Sequence, residues 1–254
     1  MVSIDLGGRV AVVTGASSGM GAQTARVWAR CGAPVGAPGR DEGRLNAVVD
    51  EIAAAGGTAV AVVADLAHGD STEAIVGAAR ELGGQIDVLV LAAGQFASTP
   101  FATTTQEELD DLWAVHVRAP FLLLQSALPL LSDRSSVLFY SSTVAQVGFA
   151  PYAAYSAVKG AVEALARSLA IELAPRTRVN VLAPGFTGTP MVFDQFPDAP
   201  GLEDGIVAKT PVGFLGGPES IAFLAAYLAS DMGGYVAGAR MVVDGGWTAQ
   251  GWQP

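Results

Sequence analysis

The sequence predicts a single-domain α/β protein, a doubly wound parallel sheet of about seven strands with helices on both faces. Three observations lead there. Short apolar runs alternate with helix-length segments along the chain. The composition is 51% hydrophobic and only 15% charged, as a sheet covered on both faces requires. No repeat, low-complexity tract or linker divides the 254 residues, a length that one open sheet can fill.

Arg9 to Gly15 reads as the first strand and Gly19 to Arg30 as the first helix. The second strand, Ala33 to Arg40, is poorly written, because Pro34, Gly36 and Pro38 stand where a central strand favours β-branched residues. Helix Arg44 to Ala55, strand Thr58 to Leu66, helix Ser71 to Leu82 and strand Asp87 to Gly94 follow. A long helix over Gln106 to Leu131, strand Ser136 to Ser142, helix Tyr152 to Leu173 and strand Arg178 to Gly185 continue the alternation. Each helix is long enough to return the chain for a parallel neighbour. Pro190 to Gly205 reads as a loop, part of a substrate lid around 190–210. Helix Pro218 to Ala229 and strand Arg240 to Gly246 come last.

A net charge of −10, unbroken by any basic run, repels nucleic acid and acidic lipid surfaces. The N-terminus lacks the basic region of a signal peptide, and the most apolar stretch, Ala119 to Leu131, is too short to cross a bilayer. A soluble cytoplasmic protein is expected. Cys31 is the only cysteine and reads as a small buried residue late in a helix. His68 and His116 stand far apart, so neither a disulfide nor a metal site is expected.

Chemistry enters after the first strand. Thr14-Gly15-Ala16-Ser17-Ser18-Gly19-Met20-Gly21 links a strand to a helix, the context of a phosphate-binding loop: glycine lets the backbone approach a pyrophosphate, and the free amides of the helix start favour the anion. On a predicted helix Tyr155 and Lys159 are four apart and share a face, so an ammonium can sit near the phenol. A free tyrosine titrates near 10, and a neighbouring cation would move it toward acid/base use at neutral pH. Ser142 ends the fifth strand, at the carboxyl edge where open sheets bind ligands, and suits a hydrogen bond to a substrate oxygen. Without a nearby histidine or a nucleophile elbow, a hydrolase triad is a poor competitor.

The TGxxxGxG spacing, Ser142 thirteen residues before Tyr155, and Tyr155-Ser156-Ala157-Val158-Lys159 together resemble the short-chain dehydrogenase/reductase family. The likeness continues through Asn180 and Pro184-Gly185-Phe186-Thr187-Gly188-Thr189 to Asp244-Gly245-Gly246-Trp247. It implies a Rossmann-like fold and an oxidoreductase moving a hydride between a nicotinamide and a carbonyl or alcohol carbon, a ketoreductase-type reaction with Ser142, Tyr155, Lys159 and His116 in the catalytic set. It also implies that Gly15, Ser17, Ser18, Gly19, Met20 and Gly21 meet the dinucleotide phosphates, that Asp65 and Leu66 meet adenine, and that Ala92, Ala93 and Gly94 line the cleft. Lys159 would bond the nicotinamide ribose beside Tyr155, and Pro184, Gly185, Thr187 and Thr189 would hold the carboxamide end. A homotetramer is implied, with a small carbonyl or alcohol compound as substrate.

Where NAD-using members place an acid at the end of the second strand, this chain has Gly39 followed by Arg40. Losing an anion and gaining a guanidinium favours the 2′-phosphate of NADP(H) over NAD(H). Two departures stand out. The usual NNAG is Leu91-Ala92-Ala93-Gly94, and the usual catalytic Asn is His116, whose imidazole either relays protons or packs. These losses keep open a non-catalytic dinucleotide-binding regulator, and the fold also supports epimerases and dehydratases. Past Thr189, Met191, Val192, Phe193, Phe196 and Leu202 supply apolar surface while Asp194, Asp198, Glu203 and Asp204 add negative charge, hinting at a neutral, partly apolar substrate.

Overall fold

The computed structural model describes residues 3–67, 71–194 and 201–250. Seven parallel strands form one sheet: β1 (Ala11–Val13), β2 (Val35–Gly39), β3 (Ala59–Val63), β4 (Ile86–Leu91), β5 (Leu131–Tyr140), β6 (Thr177–Pro184) and β7 (Arg240–Val243). Their order is β3-β2-β1-β4-β5-β6-β7. The order reverses between β1 and β4, and the carboxyl ends diverge there into the crevice where such sheets take ligands.

Period-two alternation builds both cores. Ala11 and Val13 of β1, with Leu138 and Tyr140 of β5, pack on one face. Val12, Val137 and Phe139 pack on the other. The first face is covered by α1 (Gly19–Arg30), α2 (Glu42–Ala54) and α9 (Pro218–Ala229). On the second lie α3 (Thr72–Gly83), α5 (Ala119–Ala127) and α6 (Ala153–Glu172).

Pro38 does sit in a paired strand, opposite Val62 of β3. The ladder explains it. Residues 34, 36 and 38 turn their backbone groups toward β1, but β1 pairs with β2 only as far as Gly36, and the Pro38 carbonyl accepts from Ala16 of the departing loop at 3.2 Å. The donor that proline lacks would point where no strand lies.

The expected continuous helix from Gln106 to Leu131 is broken. α4 (Gln106–Trp113) opens with a capping box between Thr105 and Glu108, runs into a π-helical turn at Ala114–Arg118, resumes as α5, and gives way after Ala127. β5 starts at Leu131, five residues earlier than its apolar run suggested. Cys31 caps the end of α1 and is half-buried rather than buried. In the lid range the described parts are two short helices, α7 (Pro190–Asp194) and α8 (Leu202–Ala208). His68, Phe196 and Asp198 lie outside the described residues. Among the described residues no helix is long and apolar enough to cross a membrane.

Candidate active site

At the switch point a cleft gathers the residues expected to hold the phosphate, adenine and adenine-ribose end of a dinucleotide: Gly15, Ser17, Ser18, Gly19, Met20 and Gly21 from the loop, Arg40, Asp65 and Leu66 beyond β2 and β3, and Ala92, Ala93, Gly94 and Thr189. The loop must be glycine where it is. Gly15 has φ +72°, and a Cβ there would lie 2.9 Å from Ala93 Cα; at Gly21 a Cβ would lie 2.3 Å from the Gly15 carbonyl oxygen. Ser18, at the N-cap of α1, makes no side-chain capping bond, so backbone donors at the helix start face the cleft uncapped. This cradle fits a dinucleotide phosphate.

Thr14, which the sequence reading passed over as the loop's first residue, ties the loop to β4. Its hydroxyl donates to the Val90 carbonyl at 3.1 Å and accepts the amides of Ala92 and Ala93 at 3.0 Å each. Ala92, which stands where an amide side chain is usual, and Ala93 thus keep their backbone anchored. Asp65 accepts from the Ala67 amide at 2.9 Å, so it shapes its own turn while lining the cleft. Arg44, reaching in from α2 beside Arg40, is a second guanidinium that sequence reasoning missed, and it pairs with Asp41 at 3.3 Å.

The second cavity contains Ser142, Tyr155, Pro184, Gly185 and Thr187. It shares Met20, Thr189 and Met191 with the dinucleotide cleft. Ser142 lies two residues beyond β5, as N-cap of a short turn over Thr143–Ala145, rather than in the strand. Its hydroxyl accepts from the Val144 amide at 3.4 Å and stands close enough to the Tyr155 phenol to lower that group's pKa. Tyr155 and Lys159 do share a face of α6, with the ammonium 5.6 Å from the tyrosine ring centroid.

Two electrostatic expectations change. Burial raises the Tyr155 phenol above its ordinary value, against a smaller lowering by the Ser142 hydroxyl. The ammonium does not reverse this: it lies over the ring and donates to the Tyr140 carbonyl at 2.9 Å. Burial also brings Lys159 down to about 7, so its positive charge is itself weakened at neutral pH.

His116 sits in the π turn, 3% exposed, edge-on to Tyr155 at 5.6 Å. Burial first, and the Lys159 charge second, hold its pKa at about 3. The imidazole is therefore neutral at physiological pH. Its Nε2 lies 2.8 Å from the Gln95 carbonyl and 3.3 Å from the Gln95 amide, so either neutral tautomer holds a hydrogen bond to that residue. A Cβ on Gly94 would meet the imidazole at 2.6 Å, so the ring fills the space that glycine leaves. The side chain anchors the loop after β4.

Ser141, Glu163, Arg240, Phe96 and Phe149 escaped the sequence reading because nothing local marks them, whereas Asn180, Phe186 and Trp247 stood in its motifs without a role. Ser141 donates to Glu163 at 2.9 Å and to the Lys159 carbonyl at 3.3 Å, and Glu163 pairs with Arg240 of β7 at 2.7 Å. Phe96, Phe149, Phe186 and Trp247 wall the second cavity. Asn180 serves the fold: its amide donates to the Val236 carbonyl at 2.8 Å and its oxygen accepts from Ala239 at 3.0 Å.

Comparison with known proteins agrees with this geometry. A family model described as enoyl-(acyl carrier protein) reductase matches residues 15–248. The chain is 37% identical to an L-rhamnose 1-dehydrogenase (NAD(P)(+)) of Azotobacter vinelandii, over 94% of this chain and 96% of the relative. It is 36% identical to 3beta-hydroxysteroid dehydrogenase 1 of Eggerthella lenta, over 96% and 95%. A solved short-chain dehydrogenase/reductase from Brucella melitensis, titled a glucose/ribitol dehydrogenase, superposes with a TM-score of 0.91 at 32% identity, covering 97% of this chain and 99% of that one. With the parallel sheet, the glycine cradle and the Ser142, Tyr155 and Lys159 cluster already in place, the chain belongs to the short-chain dehydrogenase/reductases, oxidoreductases that exchange a hydride between a nicotinamide dinucleotide and a carbonyl or alcohol carbon.

Proposed function

We propose that the protein is an NADP(H)-preferring carbonyl reductase in which Tyr155 is the proton donor, acting as one catalytic domain with its substrate cover around residues 190–210. The observation that carries this is the Tyr155 phenol, lining the second cavity together with Ser142 and with the Lys159 ammonium over its ring. The nicotinamide, when bound, supplies or takes the hydride. A phenol held above its ordinary pKa keeps its proton at neutral pH, and so suits giving it to a carbonyl oxygen as that oxygen gains charge. Ser142 orients the same oxygen, and Lys159 with Thr189, Pro184, Gly185 and Thr187 holds the nicotinamide end. His116 contributes by fixing the loop beside Tyr155.

NADP(H) is favoured because Arg40 and Arg44 both line the far end of the cleft. Space argues the same way. A Cβ on Gly39 would lie 3.1 Å from Leu45 and 3.2 Å from Ser17, so an acid that would bond a free ribose hydroxyl fits there only if those side chains give by a few tenths of an ångström. The protein is further proposed to be a cytoplasmic homotetramer. Exposed Phe121 and Ile171 on the long helices, and exposed Phe223 and Val242 near β7, offer two separate apolar contact faces.

The test is fluorescence titration with NADPH and NADH, then oxidation of each against a panel of ketones. Tyr155→Phe should lower kcat by roughly 10²–10⁴-fold with cofactor affinity nearly unchanged. Arg40→Ala should weaken NADPH far more than NADH. Tight binding with no turnover on any carbonyl would favour a non-redox reaction on the same fold, and equal losses from Arg40→Ala would sink the NADP(H) preference.

A further inference from the structure

The walls of the second cavity carry more information than its catalytic corner. Phe149, Phe186 and Trp247 meet with centroids 5.7, 6.3 and 5.9 Å apart and ring planes inclined by 72°, 84° and 84°. Three nearly perpendicular planes make the inside corner of a box. Phe96 continues the wall, stacked on Tyr152 at 4.6 Å and edge-on to Tyr155 at 5.0 Å. The aromatic surface therefore reaches the phenol itself.

Trp247 is held there by construction. The Asp244 carboxylate accepts the Gly246 amide at 2.9 Å, the Thr248 amide at 2.8 Å and the Thr248 hydroxyl at 2.6 Å, closing the turn that carries the indole. Gly185 leaves room for it, since a Cβ there would lie 2.6 Å from the Asp244 Cβ.

Among the described residues lining this cavity none is charged. Of its other hydroxyls, Ser141 is committed to Glu163 at 2.9 Å and Thr187 to the Gly185 carbonyl at 3.2 Å, while Thr143 adjoins Ser142 in the chain and Thr189 also lines the dinucleotide cleft. Ser142 and Tyr155 stand at the reacting end, ready to receive one oxygen. A polyhydroxy chain would press its other hydroxyls against phenyl and indole rings, each at a cost of about 1–3 kcal/mol. A carboxylate would find no cation to offset its desolvation. A rigid ring meets two walls of the corner at once and loses no rotamer freedom in doing so.

We infer that the substrate is a neutral, apolar cyclic ketone or the matching secondary alcohol, its ring seated in the Phe149–Phe186–Trp247 corner and its single oxygen at Ser142 and Tyr155, with Trp247 and Phe149 setting that preference. This rests on the hydride-transfer reading above. Reduction balances as a hydride to the carbonyl carbon and the Tyr155 proton to its oxygen.

Binding is measured by calorimetry on the enzyme saturated with NADP+, which cannot reduce a ketone, using 1-tetralone, dihydroxyacetone and 2-oxobutyrate as probes. 1-Tetralone should bind at least roughly tenfold more tightly than either polar probe. Trp247→Ala and Phe149→Leu should each weaken it by roughly tenfold while NADP+ affinity stays unchanged. Equal or tighter binding of a polar probe, or full 1-tetralone affinity in both variants, overturns the assignment. 1-Tetralone that binds as expected but draws no NADPH oxidation would count against the proposed proton donor and hydride transfer, and leave the pocket assignment standing.

Discussion

His116 replaces an amide with an imidazole at the centre of the site, and the structure turns that into a statement about pH. Its folded pKa of about 3 lies below the ordinary histidine value, so between pH 6.5 and 3 the unfolded chain binds a proton that the native state refuses. Folding stability should therefore fall as pH is lowered through that window, by about 1.4 kcal/mol per pH unit from this group alone. His116→Asn should flatten that slope in urea titrations run from pH 7 to pH 4, and an unchanged slope would place the ring in solvent contact. At this scale the sequence was legible for identity and not for environment. Ser142, Tyr155 and Lys159 are named by spacing, but the spacing said nothing of burial, which raises the phenol and weakens the ammonium. Thr14 was read only as a motif letter and Glu163 not at all, because their partners are 76 and 22 residues away.

The π turn at Ala114–Arg118 is the element on which the site hinges. An α-helix with one extra residue in a turn widens there, and here the widened turn swings His116 toward Gln95 and Tyr155. Apolar periodicity continues across it, so the sequence predicted one unbroken helix. β2 was the opposite case: its composition argued against a strand, and its position beside a departing β1 made the prolines harmless. A second element-scale device joins α6 to β7, through Ser141, Glu163 and Arg240. Glu163→Leu leaves a partly buried guanidinium without its anion and should cost about 2–3 kcal/mol, lowering Tm by roughly 4–12 °C in a chain of this size. Scanning calorimetry checks it; a shift within a degree would mean that Gln146, which accepts from Arg240 at 2.8 Å, suffices as its partner.

For the whole molecule, alternation of apolar runs and helices fixed the architecture, since a buried parallel sheet leaves few other ways to cover both faces. The aromatic cavity was illegible, its four walls coming from segments as distant as Phe96 and Trp247. Assembly belongs to this scale too. Ile171 is 81% exposed on α6, a large apolar side chain that a partner would cover. Ile171→Glu should reduce the sedimenting mass of the proposed tetramer while leaving the far-ultraviolet spectrum intact, and a wild-type chain that sediments as a monomer at all concentrations would end that proposal. Met20, Thr189 and Met191 border both cavities, so the dinucleotide and the substrate do not occupy independent compartments. The expected expression is coupled binding, each occupant changing the affinity for the other by the same factor, which paired titrations of coenzyme and ketone would read.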